Sequence, residues 1–367
     1  MHDRPSGRVR DGLAIKSAMI VERGGIDCDV HPAVPKMDAL LPYLRGHWRD
    51  SVVQRGVHEL NSIAYPQNVP LSARPDWRNG KGRPGSDLDA LRTQALDQFG
   101  TSIAICNCLY GVNLLFSEDM AAAFAQALND WLAREWLDRE PRLRSSIVVP
   151  LQNPEMAVEE IERRAADRRF VQVLVPVMGE MPLGKRSFWS IYAAAERHSL
   201  PICIHAGSAY RHPVTSLGWP SYYSEDYAAQ AVAFQSQLTS LICEGVFSKF
   251  PGLSVVLAES GITWLPAYLW RLNKYWRGLR TEIPWTNVSP VETVRRNVRF
   301  TLQPIDAPPG DTFARILDHI GCDELLLFST DYPHWQFDGD VAVPDDFPGD
   351  LLQKIMVENP RRTYPRL

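Results

Sequence analysis

The sequence predicts an α/β chain in which eight β-type runs alternate with helices and close into a (β/α)8 barrel. Three observations predict it. Short, nearly continuous apolar runs such as Pro201–Ile204 and Leu325–Phe328 read as strands buried on both faces, which is how parallel strands read. Between the runs, apolar residues recur at helical spacing. Finally, three runs far apart in sequence each end on side chains of the metal-binding type just before a Gly or Pro turn. In a closed barrel the C-terminal ends of strands one, five and eight open on one face. An open doubly wound sheet could hold its first and last strands far apart, and no G-x-G-x-x-G follows the first strand.

Taken in order, residues 1–25 read as a tail or strap without chemistry of their own. Their apolar patch, Ala18–Val21, is too short and too poorly flanked for a signal peptide. Ile26–Val30 is the first strand, with Gly24-Gly25 before it and Pro32 after it. From about 32 to 86 runs an irregular insertion rich in Pro, Arg, Trp and Gly. Loops of this length are usually functional or disordered, and its aromatic residues argue against disorder, so it is expected to cover the mouth of a site. Residues 26–367 are then a single domain with a long inserted loop after the first strand. Leu88–Phe99 has helical spacing, Ser102–Cys106 is strand-like, and Ser117–Asp138 is a long helix carrying Phe124, Leu128 and Trp131. Ser145–Val149 is the next strand, Pro154–Arg168 a helix with proline at its start, and Val171–Val175 a strand. Phe188–His198 leads into the strand that stops at His205. A second irregular section, Ser208–Asp226, precedes the helix Ala228–Phe247. Strand Leu253–Ala258, helix Ile262–Leu279, strand Asn297–Leu302, helix Phe313–Ile320, strand Glu324–Ser329 and helix Asp350–Glu358 complete the alternation.

With 367 residues, 45% of them hydrophobic and 22% charged, the chain has ample material for a core. The net charge of −4 and the lack of a basic block argue against nucleic acid as a partner. No run approaches the roughly 18 apolar residues of a membrane span. Five of the six cysteines lie in or beside apolar runs, and Cys106-Asn107-Cys108 has no second pair at zinc-ribbon spacing, so these read as structural. A reducing, cytoplasmic setting fits them best.

The chemistry sits at the strand ends. Asp29 and His31 are two residues apart, so on an extended strand they point to the same side, as two ligands of one metal would. His205 ends the fifth strand and Asp331 follows the eighth. Alone, Asp-x-His more often hydrogen-bonds a loop; three such endings change the balance.

The segments Asp27-Cys28-Asp29-Val30-His31-Pro32, Ile204-His205-Ala206-Gly207, Phe250–Ala258 and Ser329–Trp335 resemble the amidohydrolase-related metal enzymes of the amidohydrolase superfamily. That group includes aminocarboxymuconate semialdehyde and resorcylate-type decarboxylases as well as some hydrolases. The resemblance runs from Ile26 to about Pro360. It implies a TIM barrel on which Asp29, His31, His205 and Asp331 hold one divalent metal. Zn2+ is the expected ion; Mn2+ and Mg2+ stay open, because two carboxylates and two neutral imidazoles cancel the charge of a divalent cation. No Lys lies in Val171–Val175 to bridge a second ion. Two positions depart from the pattern. Asp29 stands where His is common, and Ala258-Glu259-Ser260-Gly261 places Glu259 where relatives carry a proton-handling His, open to a role as acid or base, as a further ligand or as a structural carboxylate.

Glu259 tips the expectation toward a hydrolase acting on a small aromatic or cyclic carboxylate-bearing amide, ester or lactone by a metal-activated water. In that reading Asp331 accepts and returns the proton, with Glu259 or His334 assisting; His334 could equally orient the loop. The alternatives are a nonoxidative decarboxylase and a non-catalytic binding protein on a retained barrel. Arg74, Trp77, Trp219, Tyr222 and Trp335 are the expected substrate residues, suited to a planar compound bearing a carboxylate. The same large side chains would also serve as small cores for their loops. Ser208 lacks a G-x-S-x-G setting, which argues against a serine hydrolase. The expected partner is a small molecule; a homodimer through the Trp-rich helix Ile262–Leu279 stays open.

Overall fold

The structure, a computed structural model, describes residues 24–63, 73–78, 82–308, 311–334 and 349–367. Eight parallel strands follow one another around the sheet in sequence order. They are β1 (Ile26–Val30), β2 (Ile103–Cys106), β3 (Leu143–Val148), β4 (Phe170–Met178), β5 (Ile202–Ser208), β6 (Val255–Ala258), β7 (Val298–Thr301) and β8 (Leu326–Leu327). Every residue of β4 and β5 is buried, as expected for strands with side chains inside the barrel on one face and helices on the other.

The seam between β1 and β8 closes the barrel. Cys28 N–H donates to the Phe328 carbonyl at 2.9 Å, His31 N–H to Tyr332 at 2.7 Å, and Asp331 N–H to Asp29 at 3.0 Å. Beneath them, the buried Asp27 carboxylate accepts the Thr330 amide at 3.0 Å and the Thr330 hydroxyl at 2.6 Å. Residues 300 positions apart in sequence are thereby fixed at the same height on the barrel rim.

The helices begin where the sequence supplies a cap. Ser117 accepts from the Met120 amide, Asn153 from Glu155 and Met156, and Ser289 from Glu292. This last cap opens the helix Pro290–Asn297, which apolar periodicity alone did not suggest. The helix after β5, here α1 (Tyr223–Cys243), starts five residues ahead of the expected Ala228. Its first turn is polar and therefore reads as loop, but Glu225 Oε2 accepts the Tyr222 amide at 2.8 Å and holds that turn in place. Tyr223 and Tyr227 thus stand on a helix.

The described parts of the insertion lie against the strand ends. Ser208 N–H donates to Ile63 at 2.8 Å, and Arg74 N–H to Pro333 at 3.0 Å. Gly207, at φ +144°, permits the first of these contacts, since a Cβ there would meet the Ile63 carbonyl at 2.8 Å. A helix, His47–Arg55, interrupts the expected irregular stretch. Residues 1–23, which hold most of the expected tail, lie outside the described residues.

Replacing Thr330 by Val removes one of the two Thr330 donors to the buried Asp27 carboxylate. The expected loss is about 1–3 kcal/mol in urea-induced unfolding. An unchanged midpoint and slope would show that the seam does not depend on this contact.

Candidate metal centre

At the end of β1 the chain presents Asp29 and, one residue past the strand, His31, both buried. Asn107, just beyond the neighbouring β2, sets both. Its side-chain amide donates to Asp29 Oδ1 at 2.7 Å, and its backbone carbonyl accepts from His31 Nδ1 at 2.8 Å. A carbonyl can only accept, so His31 carries its proton on Nδ1 and turns the lone pair of Nε2 into the barrel mouth. Asn107 Oδ1 is itself held by Gln172 Nε2 at 3.0 Å and by the Ser146 hydroxyl. His205, the fourth residue of β5, follows the same rule: Nδ1 donates to the Ala206 carbonyl at 2.8 Å, leaving Nε2 free to face Asp29 Oδ2 at 3.4 Å. Orienting an imidazole through its far nitrogen is characteristic of metal-ligating histidines.

From the other side come Glu259, directly after β6, and Asp331, after β8. Both lie in the left-handed region, at φ +58° and +57°, which side chains other than Gly rarely adopt and which clusters at functional sites. Glu259 is anchored by its amide on the Thr301 hydroxyl at 3.0 Å and by the Tyr227 hydroxyl on Oε2 at 2.8 Å. Its Oε1 lies 3.1 Å from His334 Nδ1, 3.6 Å from His31 Nε2 and 3.8 Å from His205 Nε2. Asp331 Oδ1 is 2.8 Å from His31 Nε2 and 2.7 Å from His334 Nδ1.

The electrostatics of this cluster call for a cation. Burial raises Glu259 and the charge of Asp331 adds to it; burial likewise raises Asp331 well above the usual carboxylate range, with Asp29 adding to it. Burial also opposes ionisation of Asp29, but His31 and His205 beside it hold its carboxyl well below the usual range. His205 moves the other way: burial disfavours its charged ring, yet Asp29 and Glu259 lift it to about 10. His334 is lowered to about 4, first by burial and then by His31. Three buried carboxylates therefore compete for positive charge in the absence of an ion.

The donor set fits a divalent metal. Asp29 Oδ2, His205 Nε2 and Asp331 Oδ2 are buried and make no hydrogen bond, which is costly unless a cation serves them. The ligand-type atoms form two overlapping groups, each with all members within 4.8 Å of one another: Asp29, His31, His205 and Glu259, and then His31, Glu259, Asp331 and His334.

All the sequence-predicted metal and proton-handling residues thus converge. The expected substrate residues do not form one surface. Trp77 is buried against Tyr332, ring centroids 4.9 Å apart, and Arg74 stacks on Trp77 while pairing with Asp76. Trp219 and Tyr222 are well exposed, Tyr222 at the N-cap of α1. Trp335 lies outside the described residues. Sequence reasoning missed Asn107 and the contact of Tyr227. The signal for Asn107 was a polar residue inside an otherwise apolar strand end beside β1; for Tyr227 it was the i, i+4 spacing from Tyr223.

A family model described as amidohydrolase matches residues 26–366. The gamma-resorcylate decarboxylase of Rhodococcus jostii is 27% identical over 274 residues, covering 67% of this chain and 78% of that protein. Among solved structures, an amidohydrolase from Mycobacterium avium subsp. paratuberculosis superposes with a TM-score of 0.69 at 22% identity, covering 92% of this chain and 98% of the other. A dihydroxybenzoic acid decarboxylase from Polaromonas, with bound manganese and an inhibitor, gives 0.67 at 21% identity, covering 93% and 97%. These likenesses agree with the barrel expected from the sequence. The sequence match corrects the expectation of a hydrolase: the Rhodococcus relative is a decarboxylase, although the chain carries Glu259 where that expectation took its departure. In the described residues no helix is long and apolar enough to cross a membrane.

Asn107 holds one oxygen of Asp29 and the tautomer of His31 at once. Asn107→Leu is therefore expected to weaken binding of a divalent ion about 10–100-fold, read by titrating metal into chelator-stripped protein. Wild-type affinity in the variant would show that the two side chains orient without it.

Proposed function

Because the chain belongs to the amidohydrolase family, we propose that it is a metal-dependent nonoxidative decarboxylase of a small aromatic carboxylic acid, with hydroxylated benzoates as the substrate class. The observation that carries this reading is the decarboxylase relative spanning two thirds of the chain, joined to the buried cluster of carboxylates and imidazoles at the barrel mouth.

The reaction breaks the bond between the ring and the carboxylate carbon. Its electron pair stays on the ring carbon, CO2 leaves, and the ring carbon takes up one proton. The protein must therefore anchor an anionic substrate and deliver a single proton to carbon. Asp29, His31 and His205, with Asp331 beside them, would hold the ion. When bound, a divalent ion would supply a fixed positive charge to anchor an anionic substrate.

Asp331 is placed to supply the proton. Its Oδ1 meets His334, and Oδ2 is the oxygen without a hydrogen bond. His334, kept neutral by burial and by His31, lies 2.7 Å from Oδ1. It shares the proton with Asp331 before transfer and steadies the carboxylate afterwards. Tyr227 reaches Glu259 through its hydroxyl, and the ring centroid of Tyr223 lies 5.7 Å from that of Tyr227. They suit a flat substrate better than Trp219 and Tyr222, which face solvent. For the ion itself, we infer Mn2+ in place of the expected Zn2+, supported by the manganese in the Polaromonas enzyme.

The test is CO2 release from a panel of mono- and dihydroxybenzoates and carboxyvanillate by protein reconstituted with Mn2+. Turnover of at least one member is expected, and Asp331→Asn should lower kcat by about 10²–10⁴-fold. A protein that binds Mn2+ yet releases no CO2 from any member would sink the proposal.

A further inference from the structure

We propose that Glu259 is itself a ligand of the metal, so that the carboxylate standing where relatives carry a proton-handling histidine belongs to the ion and not to the proton relay. The proposal rests on the metal-centre reading above and is independent of which reaction the centre performs.

Glu259 and His31 are the two residues common to both groups of ligand-type atoms. An ion seated beside Asp29 and His205, or one seated beside Asp331 and His334, meets Glu259 in either case. The spacing agrees. Bonds of about 2.0–2.2 Å place adjacent ligand atoms roughly 3.0–3.5 Å apart and opposite ones near 4.2 Å. Glu259 Oε1 lies 3.6 Å from His31 Nε2 and 3.8 Å from His205 Nε2, between those limits. Neither contact can be an ordinary hydrogen bond between neutral imidazole and carboxylate. Both rings carry their proton on Nδ1, committed to a backbone carbonyl, so lone pairs face a carboxylate oxygen. Two nitrogen lone pairs and an anionic oxygen turned toward one point are the arrangement a cation resolves.

The backbone is arranged to aim this oxygen. The left-handed conformation at Glu259 turns the side chain back over the strand end, and Thr301 fixes its amide. Tyr227 occupies Oε2 and so leaves Oε1 as the atom directed at the imidazoles. With Asp29 and Asp331 nearby, a third carboxylate makes the donor set rich in oxygen, which favours Mn2+ or Mg2+ over Zn2+ relative to a histidine-rich centre.

The experiment titrates Mn2+ and Zn2+ separately into chelator-stripped wild type, Glu259→Gln, Glu259→His and Asp331→Asn, with circular dichroism to verify folding and the electron paramagnetic resonance spectrum of bound Mn2+ as a second readout. Glu259→Gln should weaken Mn2+ at least tenfold and alter the Mn2+ spectrum. Glu259→His should restore binding but move the preference toward Zn2+ by a comparable factor, and it keeps the question open to measurement should the Gln variant fold poorly. Wild-type Mn2+ affinity and spectrum in folded Glu259→Gln, or an unchanged Mn2+ to Zn2+ ratio in Glu259→His, would overturn the assignment. Affinity is read without substrate. A metal pattern as described together with no CO2 release therefore removes the decarboxylase reading and leaves this one standing, and the converse result does the opposite.

Discussion

Asp29, Glu259 and Asp331 are three carboxylates buried at one mouth of a barrel, and their mutual repulsion is the constraint on which the rest of the site depends. Removing such groups from water costs several kcal/mol each unless a counter-charge is present. The two ligand-type histidines each place one proton on Nδ1 against a backbone carbonyl, and offer the carboxylates a positive charge only when Nε2 is protonated as well. The lift of His205 to about 10 expresses the same imbalance: with no ion, the carboxylates draw a proton onto the nearest ring. A divalent cation relieves the repulsion and frees that ring to act as a ligand.

Holding like charges together requires a scaffold that does not yield. The β1–β8 seam supplies it, with three backbone hydrogen bonds and the Asp27–Thr330 pair directly beneath Asp29 and Asp331. Glu259 and Asp331 are both kept in left-handed backbone, a local cost that persists only where the surrounding packing determines it. Asn107 couples the two sides of β1 and β2, so that an oxygen of Asp29 and the tautomer of His31 are set by one residue. The polar chain behind it, Ser146 and Gln172, leaves Asn107 only one orientation of its amide.

The barrel and the strand ends that carry Asp29, His31, His205 and Asp331 were legible because they depend on local patterns. Buried parallel strands are continuous apolar runs, and a period of two puts Asp29 and His31 on one side whatever the rest of the chain does. Asn107 was not legible, since its meaning arises only once β2 lies beside β1; in sequence it is a small polar residue between two cysteines. Tyr227 was hidden for another reason. The first turn of α1 is polar, so periodicity places the helix start after it, and a helical i, i+4 pair reads as two loop aromatics. Trp77 illustrates the reverse error: an aromatic in a long loop reads as a binding surface, whereas here it packs under Arg74 against Tyr332.

The hydrolase expectation failed at the step from one side chain to a reaction. Exchanging histidine for glutamate at position 259 changes what the position can do in two ways at once. It removes a group able to titrate near neutrality, and it adds an anionic oxygen within reach of two imidazole lone pairs. The first change argues against proton delivery to carbon from this position. Yet the proton can be held elsewhere, between the Asp331 carboxylate and His334 2.7 Å away, without any histidine after β6. What the glutamate then alters is the charge of the metal's surroundings. An ion with more carboxylate around it is a weaker Lewis acid, poorer at ionising water than a histidine-rich one, but still a sufficient anchor for a substrate that arrives already charged. A centre of that kind is better matched to releasing CO2 from an aromatic acid than to hydrolysing an amide or ester.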